Sequence, residues 1–253
     1  MEVEQTILPN EYEWYCEQIA GHHPSVIKNG RRELGFIKQC GSDVLLKPLQ
    51  EGIRGQTEVI SFTLPLCNFS VILYFFISEV KCIVMEDLAH TYISPCIMDI
   101  KMGKVTYDPN ATEAKKHSEA IKYPEQEKLG FRLLGYRPKI RDKLWGRSRT
   151  LCLSRIAVNL RLLPIRRAPS NFFVFFCILY FKKFQIYHLY ASSVLLIYEA
   201  SPKYSRRFRV KLIDFSHVFP ANNSIDNNYL FGLNNVIFFT EQSRNYFLHA
   251  NSN

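Results

Sequence analysis

The sequence predicts a mixed α/β chain of the α+β kind, and three observations carry that expectation. Short apolar, β-branched runs that end in charged or turn residues recur along the chain and read as strands. Asn110 to Tyr123 (NATEAKKHSEAIKY) reads as a helix, with cap residues before it and Pro124 just beyond its end. The 253 residues are 47% hydrophobic and 22% charged, which suits a packed core and excludes a largely disordered chain or a fibrous repeat.

The elements follow in order. Ala20 to Lys38 is turn-rich and basic. Asp43 to Pro48 (DVLLKP) starts a strand that carries Lys47 among aliphatic residues. Lys81 to Asp87 (KCIVMED) is a strand that runs into a connector through Glu86 and Asp87. Pro95 to Gly103 (PCIMDIKMG) is apolar with charges at alternate positions, so in extended form Asp99 and Lys101 share a face. Burying charge is costly, and an acid and a base side by side in such a run need a reason. Gly103 permits a bend. On the helix after it, with Asn110 or Thr112 as N-cap, Lys115 and Lys122 stand seven residues apart, two turns, and point the same way. By spacing alone that is a solvated basic face. Lys143 to Thr150 is basic with Trp145. Tyr190 to Glu199 (YASSVLLIYE) reads as a strand. Arg206 to Phe219 (RRFRVKLIDFSHVF) is a basic stretch, then a strand, then Asp214 and His217. An aspartate at a strand end is a common place for a metal ligand. Arg206, Arg207 and Arg209 suit a solvated strand edge or a nuclear-localisation signal. Asn227 to Ile237 opens a closing helix.

The formal net charge of +9 points to an anionic partner: nucleic acid, a membrane surface or a small polyphosphate. No basic stripe interleaved with aromatics is evident, so no stable nucleic-acid contact is expected. Seven cysteines with no C-x-x-C pair fit a reduced intracellular protein, and zinc is not expected. Met1 to Cys16 is acidic and predicts no secretory signal. Leu64 to Ile77 (LPLCNFSVILYFFI) and Phe172 to Phe181 (FFVFFCILYF) are strongly apolar. Both fall short of the roughly 18–20 residues that cross a bilayer. They read as buried strands or core helix, or as segments foreign to the native fold.

Lys47 in a strand, Glu86 and Asp87 at a connector, Asp99 with Lys101 on one face, and Asp214 after a late strand make up the inventory of phosphoryl transfer. One lysine steadies nucleotide phosphates, and a connector offers backbone groups to a base. One acid orients the attacking hydroxyl, and another holds a divalent cation. No Walker glycine loop occurs, which excludes a P-loop. No H-R-D or D-F-G occurs, which excludes an ordinary protein kinase.

PCIMDIKMG fits the P-x-x-x-D-x-K-x-G signature and resembles the inositol polyphosphate kinases. In the same order as in that family come QIAGH, VLLKPLQ, RGQTE, VMEDL, YASSVLLIYE, IDFSHVF and NNYLFGLNNVI. KVTYDPNAT, after the signature, looks like the multikinase subgroup. The resemblance implies a two-lobed fold: an antiparallel-sheet N-terminal lobe over 1–88 and a larger α/β C-terminal lobe over 89–253, with ATP between them and an inositol-phosphate-binding helix at 110–123. It implies that Lys47 binds ATP phosphates, paired with Glu58, and that Glu86, Asp87 and Leu88 hold adenine. It makes Asp99 the catalytic acid, close to ATP, and puts Lys101 on the substrate and the transferred phosphoryl group. Lys115, Lys122 and His217 would bind substrate, and Asp214 would hold Mg²⁺ in the ATP site. The implied protein is a monomer in nucleus and cytoplasm. It would take inositol 1,4,5-trisphosphate and the tetrakisphosphate to the pentakisphosphate, at the 6- and 3-positions.

The likeness runs through 14–59, 81–149 and 186–237. Segments 60–80 and 150–185 depart from it, being rich in Phe, Ile, Leu, Tyr and Cys without amphipathic order. They read as translated intron or a faulty gene model. A kinase fold without activity, serving as a binding or scaffold module, is the alternative function. The retained Lys47, Asp99, Lys101 and Asp214 favour an enzyme.

Overall fold

The computed structural model describes residues 7–21, 27–28, 31–62, 74–77, 79–137, 186–201 and 207–250. Most of the two departing segments, Lys143 to Thr150, Phe172 to Phe181 and Arg206 lie outside the described residues. The chain divides into two compact units, Met1–Tyr92 and Ile93–Asn253.

The first unit holds strands β1 (Tyr12–Trp14), β2 (Ile27–Lys28), β3 (Arg31–Arg32), β4 (Ile37–Gln39) and β5 (Val44–Pro48), helix α1 (Ile53–Phe62), and strands β6 (Tyr74–Ile77) and β7 (Val80–Glu86). Five strands form an antiparallel sheet in the order β1-β4-β5-β7-β6, and β2 pairs with β3. Alternate residues point inward, as period two demands. Ile37, Leu46, Ile77 and Cys82 are buried together, with Leu8, Tyr12, Trp14, Val44, Val80 and Val84 packed around them. Although β1 and β6 are opposite edges, the Tyr12 and Phe75 rings lie 5.7 Å apart, so the sheet curls.

The end of the first apolar segment corrects the expectation of burial. Tyr74, Phe75 and Phe76 are exposed and only Ile77 is inside. Among the described residues β6 is an edge strand that pairs only with β7. Its outer rings are capped piecemeal, Lys81 Nζ standing 3.9 Å from the Tyr74 ring centroid. Helix α1 went unread in the sequence because its stretch opens without a side-chain cap and contains Gly55. That glycine permits a close approach, since a Cβ there would meet Gln50 O at 2.0 Å.

The second unit holds β8 (Pro95–Met102), α2 (Glu113–Lys122), α3 (Gln126–Leu129), β9 (Phe131–Arg137), β10 (Tyr187–Leu189), β11 (Ser193–Glu199), β12 (Phe208–Ile213), β13 (Val218–Pro220) and α4 (Asn227–Ala250). Its main sheet is antiparallel in the order β12-β11-β8-β9, and β10 pairs with β13. The signature strand β8 is internal and buried at all positions but Lys101, which is half-buried. Glu199 fixes its start by accepting from the backbone N–H groups of Ile93 and Ser94 at 2.8 and 2.9 Å. Asp226 caps α4 by accepting from Tyr229 N at 2.9 Å, and it ties in β10 by accepting from Leu189 N at 2.7 Å. Among the described residues no helix is long and apolar enough to cross a membrane.

Candidate functional site

In the second unit the site grows from the C-terminal end of β8. The ladder with β9 shifts register between Asp99 and Ile100, and such irregularities re-aim side chains. Asp99 is 4% exposed and lies opposite Leu195 of β11 and Gly135 of β9. Lys101 lies opposite Ser193 and Arg132. Ser193 in turn faces Ile213, the last residue of β12, so the strand order carries Asp214 to the same end of the sheet. Asp214 has φ +61°, a left-handed conformation that Asp tolerates better than most residues and that clusters at functional turns.

The electrostatics report this convergence. Burial, then the Arg132 guanidinium, push the Lys101 ammonium below its ordinary pKa, while Glu119, Asp214 and Asp99 pull the other way. Asp99 and Asp214 therefore both act on one ammonium. Gly103, at φ +100°, then turns the chain, and a Cβ there would meet Asn228 Nδ2 at 2.6 Å. Gln126 Nε2 donates to Gly103 O at 2.5 Å.

Helix α2 flanks this centre. Thr112 is its N-cap, accepting from Lys115 N at 3.3 Å. Lys115 Nζ and Lys122 Nζ both donate to Glu119 Oε1, at 2.7 and 2.6 Å, and Arg132 Nη2 of β9 stands 3.5 Å from Glu119 Oε2. Burial alone would raise the Glu119 carboxyl. The bonds from Lys115 and Lys122 and the Lys101 charge outweigh it and hold the pKa at about 2. His217 Nδ1 lies 2.9 Å from Asp108 Oδ2, in the loop before α2.

In the first unit Lys47 of β5 pairs with fully buried Glu58 of α1, as the resemblance implied. The Asp87 carboxylate accepts from Tyr15 Oη at 2.7 Å, Lys38 Nζ at 2.5 Å and Ala89 N at 2.9 Å. Its backbone N–H donates to Asp43 O at 2.7 Å. Its side chain thus ties the connector to β4 and to the residue just after β1. Glu86, exposed, and Leu88, half-buried, flank it.

Sequence reasoning missed Glu119, Arg132, Asp108, Tyr15 and Lys38. Glu119 carried a signal, since it stands four residues after Lys115 and three before Lys122. The others meet their partners only through strand pairing and loop closure.

Magnesium normally keeps several waters and takes one or two carboxylates plus substrate phosphates. Asp214, at the turn after β12, fits that modest donor set as a single carboxylate. Among the described residues no group of three or more His, Cys, Asp or Glu forms a ready-made metal cage.

A family profile described as inositol polyphosphate kinase matches residues 82–159 and 178–241. The chain is 26% identical to inositol polyphosphate multikinase of Mus musculus over 225 residues, covering 73% of this chain and 53% of that protein. It is 29% identical to the multikinase of Schizosaccharomyces pombe over 242 residues, covering 82% of this chain and 85% of that protein. The chain spans about half the length of the rodent relatives it matches. A solved inositol phosphate multikinase superposes with a TM-score of 0.59 at 24% identity, over 73% of this chain and 98% of the other. The multikinase of S. cerevisiae, solved with ADP and Mn²⁺, gives 0.60 at 18% identity, over 79% and 99%. The fold is shared with these proteins. The stretch that the profile passes over, 160–177, lies inside the segment whose sequence departs from the family.

Proposed function

The chain belongs to the inositol polyphosphate kinase family, and on that premise we propose that it is an ATP-dependent kinase acting on hydroxyl groups of inositol polyphosphates. The observation that carries the reading is the gathering of Asp99, Lys101 and Asp214 at one end of the second unit's sheet, with the cationic face of α2 beside it. A cyclitol with several phosphates packs much negative charge into a small disc. Lysines from a helix and a strand can surround it without a deep apolar pocket.

In this reading Asp99 orients the attacking hydroxyl and takes its proton as the oxygen bonds to the γ-phosphorus and ADP leaves. Lys101 neutralises charge on the transferred phosphoryl group. Its half-buried setting strengthens that contact, because low dielectric amplifies it. Lys115, Lys122 and His217 hold substrate phosphates. Asp214 would hold Mg²⁺, which supplies charge neutralisation at the ATP phosphates. From the first unit, Lys47 steadies ATP phosphates, and backbone groups of Glu86, Asp87 and Leu88 receive adenine. The ADP and Mn²⁺ bound by the yeast relative support the nucleotide and metal parts of this reading. Its likeness to the multikinases supports inositol 1,4,5-trisphosphate and the tetrakisphosphate as substrates, with the pentakisphosphate as product. By the same likeness it works as a monomer in nucleus and cytoplasm.

The test is an assay of the purified chain with Mg-ATP and inositol 1,4,5-trisphosphate, with products separated by chromatography. Product is expected, and Asp99→Asn should abolish it while nucleotide still binds. Turnover retained in Asp99→Asn would remove that residue's role. Absence of product from folded wild-type protein would favour the non-catalytic binding module.

A further inference from the structure

Lys115 and Lys122 present a physical difficulty. Both ammoniums are about half in solvent, at 43% and 50% exposure. Two like charges on long, flexible stems should splay apart in water. Here they converge, because one oxygen of Glu119 accepts from both. Two ammoniums on one oxygen can be no farther apart than the two bonds laid end to end, a spacing that lets both grip one phosphate group. Each ammonium has three donors, so each keeps two for a ligand. Glu119 itself is 6% exposed, and Arg132 braces its other oxygen from β9. It is buried and carries the wrong sign, so it does not bind a phosphate itself.

We propose that Glu119 is a positioning residue that gathers Lys115 and Lys122 into a preformed, paired seat for one phosphate group of an inositol polyphosphate. This rests on the assignment of those lysines to the substrate. The opposite role is equally concrete. A carboxylate beside the seat repels a polyanion, so by charge alone its removal should tighten binding. The two roles differ in sign.

The experiment titrates inositol 1,4,5-trisphosphate into the whole chain by calorimetry, without nucleotide. The variants are Glu119→Gln, Glu119→Ala and Lys115→Ala, with Lys115→Ala also made in each Glu119 background. Both Glu119 variants should weaken binding about tenfold despite each raising the net charge by one. Lys115→Ala should cost about tenfold in the native chain and about twofold or less once Glu119 is gone, because the seat no longer exists to be broken. In the assay, KM for the inositol phosphate should rise while KM for ATP holds, a split that general loosening of the fold would not give. Binding as tight or tighter in Glu119→Gln overturns the proposal, as does an equal Lys115→Ala loss in both backgrounds. A wild-type chain that binds no inositol phosphate removes the functional reading and the proposal together. A wild-type chain that binds, with a Glu119→Gln variant that binds as well, removes the proposal alone. If both Glu119 variants unfold, a Lys115→Ala, Lys122→Ala cycle in the native background decides. A shared seat gives losses well short of additive, and independent contacts give additive losses, which overturn it.

Discussion

Asn228 and Val105 are joined by a closed pair of hydrogen bonds: Val105 N donates to Asn228 Oδ1 at 2.8 Å, and Asn228 Nδ2 donates to Val105 O at 3.0 Å. The side chain imitates a neighbouring strand for one residue. It fastens the loop that leaves the signature strand to the first turn of α4. Each such bond contributes on the order of 1 kcal/mol, more where an unmet group stays buried. Asn228→Ala should therefore lower stability by about 2 kcal/mol. Urea denaturation checks this, and an unshifted midpoint would show the pair to be idle.

The crossing of α4 with the turn before β9 allows no side chain. A Cβ on Gly232 would lie 1.9 Å from Gly130 O, and Gly130 itself has φ +69°. Backbone meets backbone there, and nothing flexible can yield. Gly232→Ala should cost about 1–3 kcal/mol or more as the helix is pushed off the sheet. A melting temperature equal to wild type would refute the close approach.

On the proposed function, Lys115→Ala combined with Lys122→Ala should raise KM for the inositol phosphate by about tenfold or more, with kcat far less affected. Initial-rate kinetics at saturating ATP read this directly. An unchanged KM would return that helix face to plain solvation.

Glu119 gives the second unit an acid-sensitive joint. Its folded pKa of about 2 lies below the ordinary 4.5. The charged form is favoured on folding, so its stabilisation is full above pH 4.5 and is lost as pH falls through about 2. Wild-type stability in urea should fall over that window more steeply than that of Glu119→Gln. Parallel curves would contradict the ion-pair geometry.

The parts of this fold that were legible in the sequence were local. PCIMDIKMG reads as an apolar run in which, if extended, Asp99 and Lys101 share a face; that it forms an internal strand emerges from its pairing with β11 and β9. Thr112 and Pro124 bracketed α2. What stayed hidden depends on contacts between elements. Glu119 reads in the sequence as ordinary helix support, and only the approach of β9 with Arg132 makes it a buried hub. Asp87 read as part of a connector, yet Tyr15 and Lys38 reach its carboxylate across the sheet. The left-handed backbone of Asp214 is not readable from its residue type, since Asp tolerates that conformation better than most but adopts it at few positions. Segments 60–80 and 150–185 gave no amphipathic order to read. The family profile passes over 160–177, the middle of the second segment, while matching its ends at 150–159 and 178–185. Sequenced transcripts should join the family blocks without those codons, and reads running through them would refute that.

The curl of the first unit's sheet has a consequence for assembly. Its closing strand, Tyr74–Ile77, lies in segment 60–80, one of the two whose sequence departs from the family, and the Tyr12–Phe75 contact depends on it. A transcript that skips this stretch would leave β7 as the outermost strand. The backbone amides and carbonyls that now pair with β6 from Val80 to Ile83 would then face solvent, a template on which a second chain could align. The spliced and unspliced products would then differ first in whether they stay single at high concentration.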